Sequence, residues 1–136
     1  EQAIAENEHK HAGEIRVVIE SGLPSYAILR GLTPRQRAIN LFGHLNIWDT
    51  EHNNGVLIYL LLADHDVEIV ADRGIHKHVT DAGWQQICQH MEGMFRSGQF
   101  ESGVVFGIQA IGKHLATHFP PESVPRNELS NRVVVL

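Results

Sequence analysis

The hydrophobic residues of this chain fall into short blocks of alternating character. Ile15-Arg16-Val17-Val18-Ile19-Glu20 is β-branched and strand-sized, and Ser21-Gly22-Leu23-Pro24 stops it. Thr33-Pro34 then opens a helix, with Thr as N-cap and Pro at the first helical position. Ala38, Leu41, Phe42 and Leu45 follow on one face of it. Val56 to Ala63 is the most hydrophobic run and is apolar at odd and even positions alike, which predicts a central strand covered on both faces. The turn Asp64-His65-Asp66 sends Val67 to Asp72 back beside it. Thr80 or Asp81 caps a long helix with the stripe Trp84, Ile87, Cys88, Met91, Met94 and Phe95, and Ser97-Gly98 breaks it. A last helix turns Val104, Ile108, Ile111 and Leu115 inward, with Gly103, Gly107 and Gly112 permitting close approach, and ends at Phe119-Pro120-Pro121.

Two segments lie outside this pattern. Residues 1 to 12 are polar and helix-compatible up to Gly13, a natural C-cap. The tail of residues 121–136 is polar until Val133-Val134-Val135-Leu136, which either joins the sheet as an edge strand or stays without structure. Residues 1–120 therefore form the domain. The order strand, helix, strand, strand, helix, helix predicts an α/β sandwich: a small mixed sheet with helices on both faces.

Strand direction turns this order into a site. The first strand and Val56 to Ala63 are joined through a helix, so they run parallel, and the third strand runs against them. The starts of the two parallel strands and the end of the third then share one sheet edge. Glu14, Asn53, Asn54, Asp72 and Gly74 fall on that rim, with Thr80 and Asp81 expected close by. Carboxylates mixed with amide and carbonyl oxygens suit a hard cation, Ca²⁺ or Mg²⁺. The metal candidates are Glu14, Asn53, Asn54, Asp72 and Asp81, with Asp49 and Glu51 able to add charge. Turn and cap chemistry explains the same residues without a ligand, and no spacing matches a twelve-residue EF-hand loop.

Composition narrows the function classes. With 136 residues and 43% hydrophobic content the chain fits one domain. A net charge of −5 and eleven scattered Lys and Arg argue against nucleic-acid binding. No apolar run reaches the roughly 20 residues of a membrane span. The lone Cys88 excludes an internal disulfide and sits in a helical stripe as a core thiol, which fits a cytoplasmic setting. The chain starts at Glu1 rather than Met, an expected sign of a trimmed N-terminus that leaves a periplasmic or anchored placement open.

Three other patterns carry less. Asp64-His65-Asp66 after Leu60-Leu61-Leu62-Ala63 imitates the Asp-x-Asp of haloacid-dehalogenase phosphatases, but Val67 returns at once as a hairpin. His114 and His118 have the spacing of two zinc ligands on one helix face, yet no Cys set or His-Glu-x-x-His surrounds them. His76-x-His78 reads as surface or packing histidine, and no organic-cofactor loop is present.

His11-Ala12-Gly13-Glu14-Ile15-Arg16-Val17 resembles the opening strand of the TPM domain, a family named after a thylakoid-lumen phosphatase, a photosystem II repair protein and an acetylcholine-receptor modulator. Asn54-Gly55-Val56-Leu57-Ile58 resembles its central strand entry and Asp72-Arg73-Gly74-Ile75 its second glycine turn. Trp84, Met94-Phe95-x-x-Gly98, Gly103, Gly107-Ile108, Gly112 and His118-Phe119-Pro120 resemble its last two helices, so the likeness runs from residue 11 to 120. It implies a Rossmann-like α/β/α sandwich, Ca²⁺ binding in some members and acid phosphatase activity in the plant branch. Lacking a transmembrane tail and a Gly-rich C-terminus, the chain looks closer to the soluble bacterial members. The expected role is then an accessory or interaction domain with a protein partner, a membrane protein among the candidates; the alternative is a metal-assisted phosphomonoesterase using Asp72 and Asp81.

Overall fold

The computed structural model describes residues 13–50, 52–120 and 133–136. The expected N-terminal helix lies outside the described residues, as does Glu51. Strands β1 (Glu14–Glu20), β2 (Gly55–Leu61), β3 (Asp66–Ala71) and β4 (Val134–Val135) form one sheet in the order β3-β2-β1-β4. β1 and β2 are parallel, with Glu14 opposite Gly55, and β3 is antiparallel to β2, with Ala71 opposite Val56. Between β1 and β2 run helices α1 (Ser25–Leu29) and α2 (Pro34–His44); after β3 come α3 (Arg73–Arg96) and α4 (Phe100–His118). The sandwich with a mixed sheet and helices on both faces is the architecture the element order implies.

β2 is buried at every position because it has a core on each side. Val56, Ile58 and Leu60 pack with Ile15, Val17 and Ile69 against the apolar faces of α3 and α4. Leu57, Tyr59 and Leu61 pack with Val18 and Val70 against Ala38 and Leu41 of α2 and against Ile47. Cys88 is buried in the first of these cores, and burial pushes its thiol up to about 12. The C-terminal residues take the strand alternative: Val134 and Val135 pair in parallel with Val18 and Ile19.

Several boundaries differ from the sequence reading. β2 stops at Leu61 because Leu62–Asp64 curls into a 3-10 turn, closed by His65 at φ 50°. α1 was not foreseen; five residues after a proline leave no helical period to detect. A helical stretch that the sequence reading did not contain, residues 73–79 capped by Asp72, precedes the long helix, and α3 includes both. Thr80, at φ 69° and ψ 167°, is the break between the two, so the long stretch resumes at the expected start, Thr80-Asp81.

At the far end of the sheet from the rim, a buried polar network fastens α2. Arg37 donates from Nε to Glu20 Oε1 (3.0 Å) and from Nη2 to Oε2 (2.9 Å). The Tyr59 hydroxyl donates to Glu20 Oε1 at 2.7 Å, and Arg37 Nη1 donates to the Tyr26 hydroxyl at 2.7 Å. Burial opposes the Glu20 carboxylate, but Arg37 and Tyr59 outweigh it and hold its pKa below the usual range. The outer edge of β3 is also occupied: Val67 N–H donates to Glu92 at 3.0 Å and Arg35 donates to the Ile69 carbonyl. Side chains thus cover groups that a bare edge strand would offer to another chain.

Candidate functional site

The rim forms where the sequence placed it. Glu14 and Asn54 are both buried, at 1% and 0% exposure, at the entry of adjacent parallel strands. Asn53 takes the left-handed conformation at φ 53°, which asparagine tolerates better than most side chains. That turn is locked to the end of β3 by two backbone bonds: Asp72 N–H to the Gly55 carbonyl (3.0 Å) and Gly74 N–H to the Asn53 carbonyl (2.7 Å). Asn54 N–H donates to Thr50 Oγ1 at 3.1 Å, holding the other side of the turn. Gly74 is required by this closeness, since a Cβ there would lie 2.2 Å from the His52 carbonyl oxygen and 2.5 Å from that of Asn53. Asp72 Oδ1 accepts from Arg73 N–H at 2.7 Å, so this carboxylate already caps α3.

Of the five candidate ligands, Glu14, Asn53, Asn54 and Asp72 share this edge. Asp81 stands apart, beyond the Thr80 break, with its side chain 91% exposed and 3.6 Å from His76 Nε2. It lines a different cleft, of about 250 Å³, with Arg35, Glu68, Ile69, Trp84, Gln85 and Cys88. Among the described residues no three His, Cys, Asp or Glu side chains gather closely enough to hold a metal ion. Any cation at the rim would need amide and backbone oxygens as well as carboxylates, the donor mixture that Ca²⁺ accepts.

The histidines with ligand-like spacing are occupied in packing. His118 stacks on His78 with ring centroids 4.0 Å apart, and His114 meets Trp84 edge-on at 6.1 Å. His76 Nδ1 accepts from Trp84 Nε1 at 3.0 Å. Asp64 is the last residue of the 3-10 turn and Asp66 opens β3, the hairpin placement expected of that pair.

One acidic pair escaped the sequence reading. Asp66 and Glu68 lie two apart on β3, on one face of an edge strand, and the only signal was that period of two. Burial, then a hydrogen bond to Asp66, pushes Glu68 up to about 8. Arg35 Nη1 stands 3.8 Å from Glu68 Oε1 and offsets only part of this. The folded protein therefore retains a proton that the unfolded chain loses near pH 4.5, so the pair's contribution to stability falls as pH rises from about 4.5 to about 8 and is flat above. Urea midpoints measured across that window should decline in the native protein, and Glu68→Gln should flatten the decline. An unchanged slope in the variant would assign it to other groups.

The TPM domain family matches this chain over residues 1–114. The BA42 protein of the psychrophilic bacterium Bizionia argentinensis is similar in structure, with a TM-score of 0.85 and 32% identity over 98% of this chain and 88% of that one. The N-terminal domain of a protein from P. gingivalis shares the fold, with a TM-score of 0.70 and 20% identity over 89% of this chain and 76% of the other. No curated protein matches. No helix among the described residues is long and apolar enough to cross a membrane. A family match across most of the chain, on a sheet whose rim joins the Asn54-Gly55 and Asp72-Arg73-Gly74 turns, makes this chain a member of the TPM domain family.

Proposed function

We propose that the rim binds a hard divalent cation, Ca²⁺ or Mg²⁺, and that the domain works as an accessory or interaction module rather than as an enzyme. Glu14 and Asp72 supply charge, and Asn53 or Asn54 adds a neutral oxygen. The observation that carries this reading is the backbone lock between Gly74 N–H and the Asn53 carbonyl at 2.7 Å. It holds two turns from distant parts of the chain in fixed register, which supports a rim whose candidate ligands need little rearrangement to meet an ion. A partner protein, a membrane protein included, is the expected reader of the loaded rim.

The phosphomonoesterase alternative needs Asp72 and Asp81 on one metal. Helical residues 73–79 and the Thr80 break separate them, which counts against it. Calcium titration followed by NMR should move the amides of residues 53–55 and 72–75, and Asp72→Ala should weaken binding roughly tenfold, about 1.4 kcal/mol. Silence at those amides would sink the cation reading. Metal-dependent turnover of a chromogenic phosphate ester, lost in Asp72→Ala, would favour the enzyme instead.

A further inference from the structure

Residues 73–79 form a short helical segment, the lever, between the rim and Thr80, seated on the core through Ile75 and Val79. At its start, Gly74 presses on the Asn53 turn through the 2.7 Å bond already described. At its end, Thr80 holds φ 69° and ψ 167°, a conformation that β-branched residues avoid, so the lever takes its own direction instead of continuing into residues 81–96. Gly74 and His78 are four apart and therefore lie on the same helix face. That face meets the end of α4. The His78 ring stacks on His118 (4.0 Å between centroids, 10° between planes) and stands edge-on to Phe119 at 6.4 Å. Phe119 in turn lies 6.3 Å from the His52 ring on the rim loop. A row of rings thus ties the helix end, the lever and the rim together.

Among the described residues, the charge that bears on His78 is positive, from His118 and Lys77. Arg73 and Lys77 sit on the lever, and Lys113 and His114 on α4. Asp72 is committed to capping at the lever's start, and Asp81, past the break, faces His76. Among the described residues, His78 and His118 have no carboxylate in ion-pair contact. Desolvation, then the charges of His118 and Lys77, hold the His78 pKa below its usual value. His118 is the last residue of α4, where the helix dipole favours a cation. His52 and His76 adjoin candidate ligands and play no part here.

We propose that the His78–His118 stack is a proton-operated latch: closed while one ring is neutral, it springs when both are protonated, swinging residues 73–79 about Thr80 and drawing Gly74 away from the Asn53 carbonyl. The latch is a property of the fold and does not need a bound ion. Its functional consequence, a cation rim disabled in mild acid, rests on the reading given under Proposed function.

The test is a pH titration by NMR in the absence of metal, following the ring carbons of His78 and His118 and the amides of Asn53 and Gly74. The amides should move with the second, more acidic midpoint of the pair. His118→Phe keeps a ring in the stack but carries no charge; it should abolish the amide step and raise the His78 midpoint. Amides that stay still while both rings titrate would overturn the latch, as would an amide step that survives His118→Phe at its original midpoint. A parallel calcium titration separates the two ideas. Equal calcium affinity above and below the second midpoint overturns the link to the rim, whereas binding at neither pH removes the cation reading and leaves the metal-free amide step to decide the latch.

Discussion

Arg37→Ala is expected to destabilise the protein by about 3–5 kcal/mol, the usual result of breaking a buried ion pair from one side. The Glu20 carboxylate is only 8% exposed and takes two hydrogen bonds from Arg37. Without the guanidinium it keeps a single strong donor, the Tyr59 hydroxyl, in a core otherwise built from Val18, Leu57 and Leu61. The loss therefore reflects a stranded charge more than a lost attraction. A variant that removes every partner at once, Glu20→Leu with Arg37→Met and Tyr59→Phe, should recover most of the stability, because no polar group is then left buried and unmatched. Urea unfolding of the two variants measures the difference directly; a triple variant as unstable as Arg37→Ala would mean that the network holds α2 by specific geometry. The pH dependence follows the same logic. Glu20 titrates below its ordinary value when folded, so its contribution is present above about pH 4.5 and is lost as pH falls through the folded pKa. Arg37→Ala should blunt that acid sensitivity.

This network shows where the sequence becomes unreadable. Glu20 closes a strand and Arg37 lies in a helix 17 residues later, and neither composition nor spacing pairs them. Asp66 and Glu68 were hidden for a related reason: each looked like ordinary turn or edge polarity until the fold set them against one another, with Glu68 beside Arg35. By contrast, the two-faced burial of β2 was legible because continuous apolarity over a strand length has one simple explanation. The rim was legible too, since it follows from strand directions alone, and those follow from a helical crossover and a tight hairpin. Asp81 separated from the others because a further helical stretch, residues 73–79, precedes the start expected at Thr80 and Asp81. Gly74 looked like the end of a turn, so the helix appeared to wait for Thr80 and Asp81. In the structure that glycine sits inside the first turn of the helix for a tertiary reason, the carbonyls of His52 and Asn53 against it.

Gly74→Ala makes that reason measurable, because local and tertiary effects predict opposite signs. Helix propensity alone favours alanine over glycine by about 1 kcal/mol in a helix interior, and by less near its start. The new Cβ, however, would stand 2.2 Å from one backbone oxygen and 2.5 Å from another, neither of them the free end of a flexible side chain. Overpacking of this kind costs about 1–3 kcal/mol, and losing the Gly74–Asn53 hydrogen bond adds about 1 kcal/mol. The tertiary effect should win, giving a net loss of about 2–3 kcal/mol. Gly93→Ala is the matched control, in the same helix, where the nearest outside atom to a new Cβ is the tip of Arg96 at 4.0 Å. Only propensity acts there, and the protein should gain up to about 1 kcal/mol. Urea unfolding of both variants decides the matter, since two substitutions of the same sign would show that the rim gives way more easily than its backbone contacts imply. If Gly74→Ala behaves as expected, it should also scatter the amides of residues 53–55 and abolish their response to calcium. The rim would then owe its geometry to a helix residue with no side chain to put in the way of the His52 and Asn53 carbonyls.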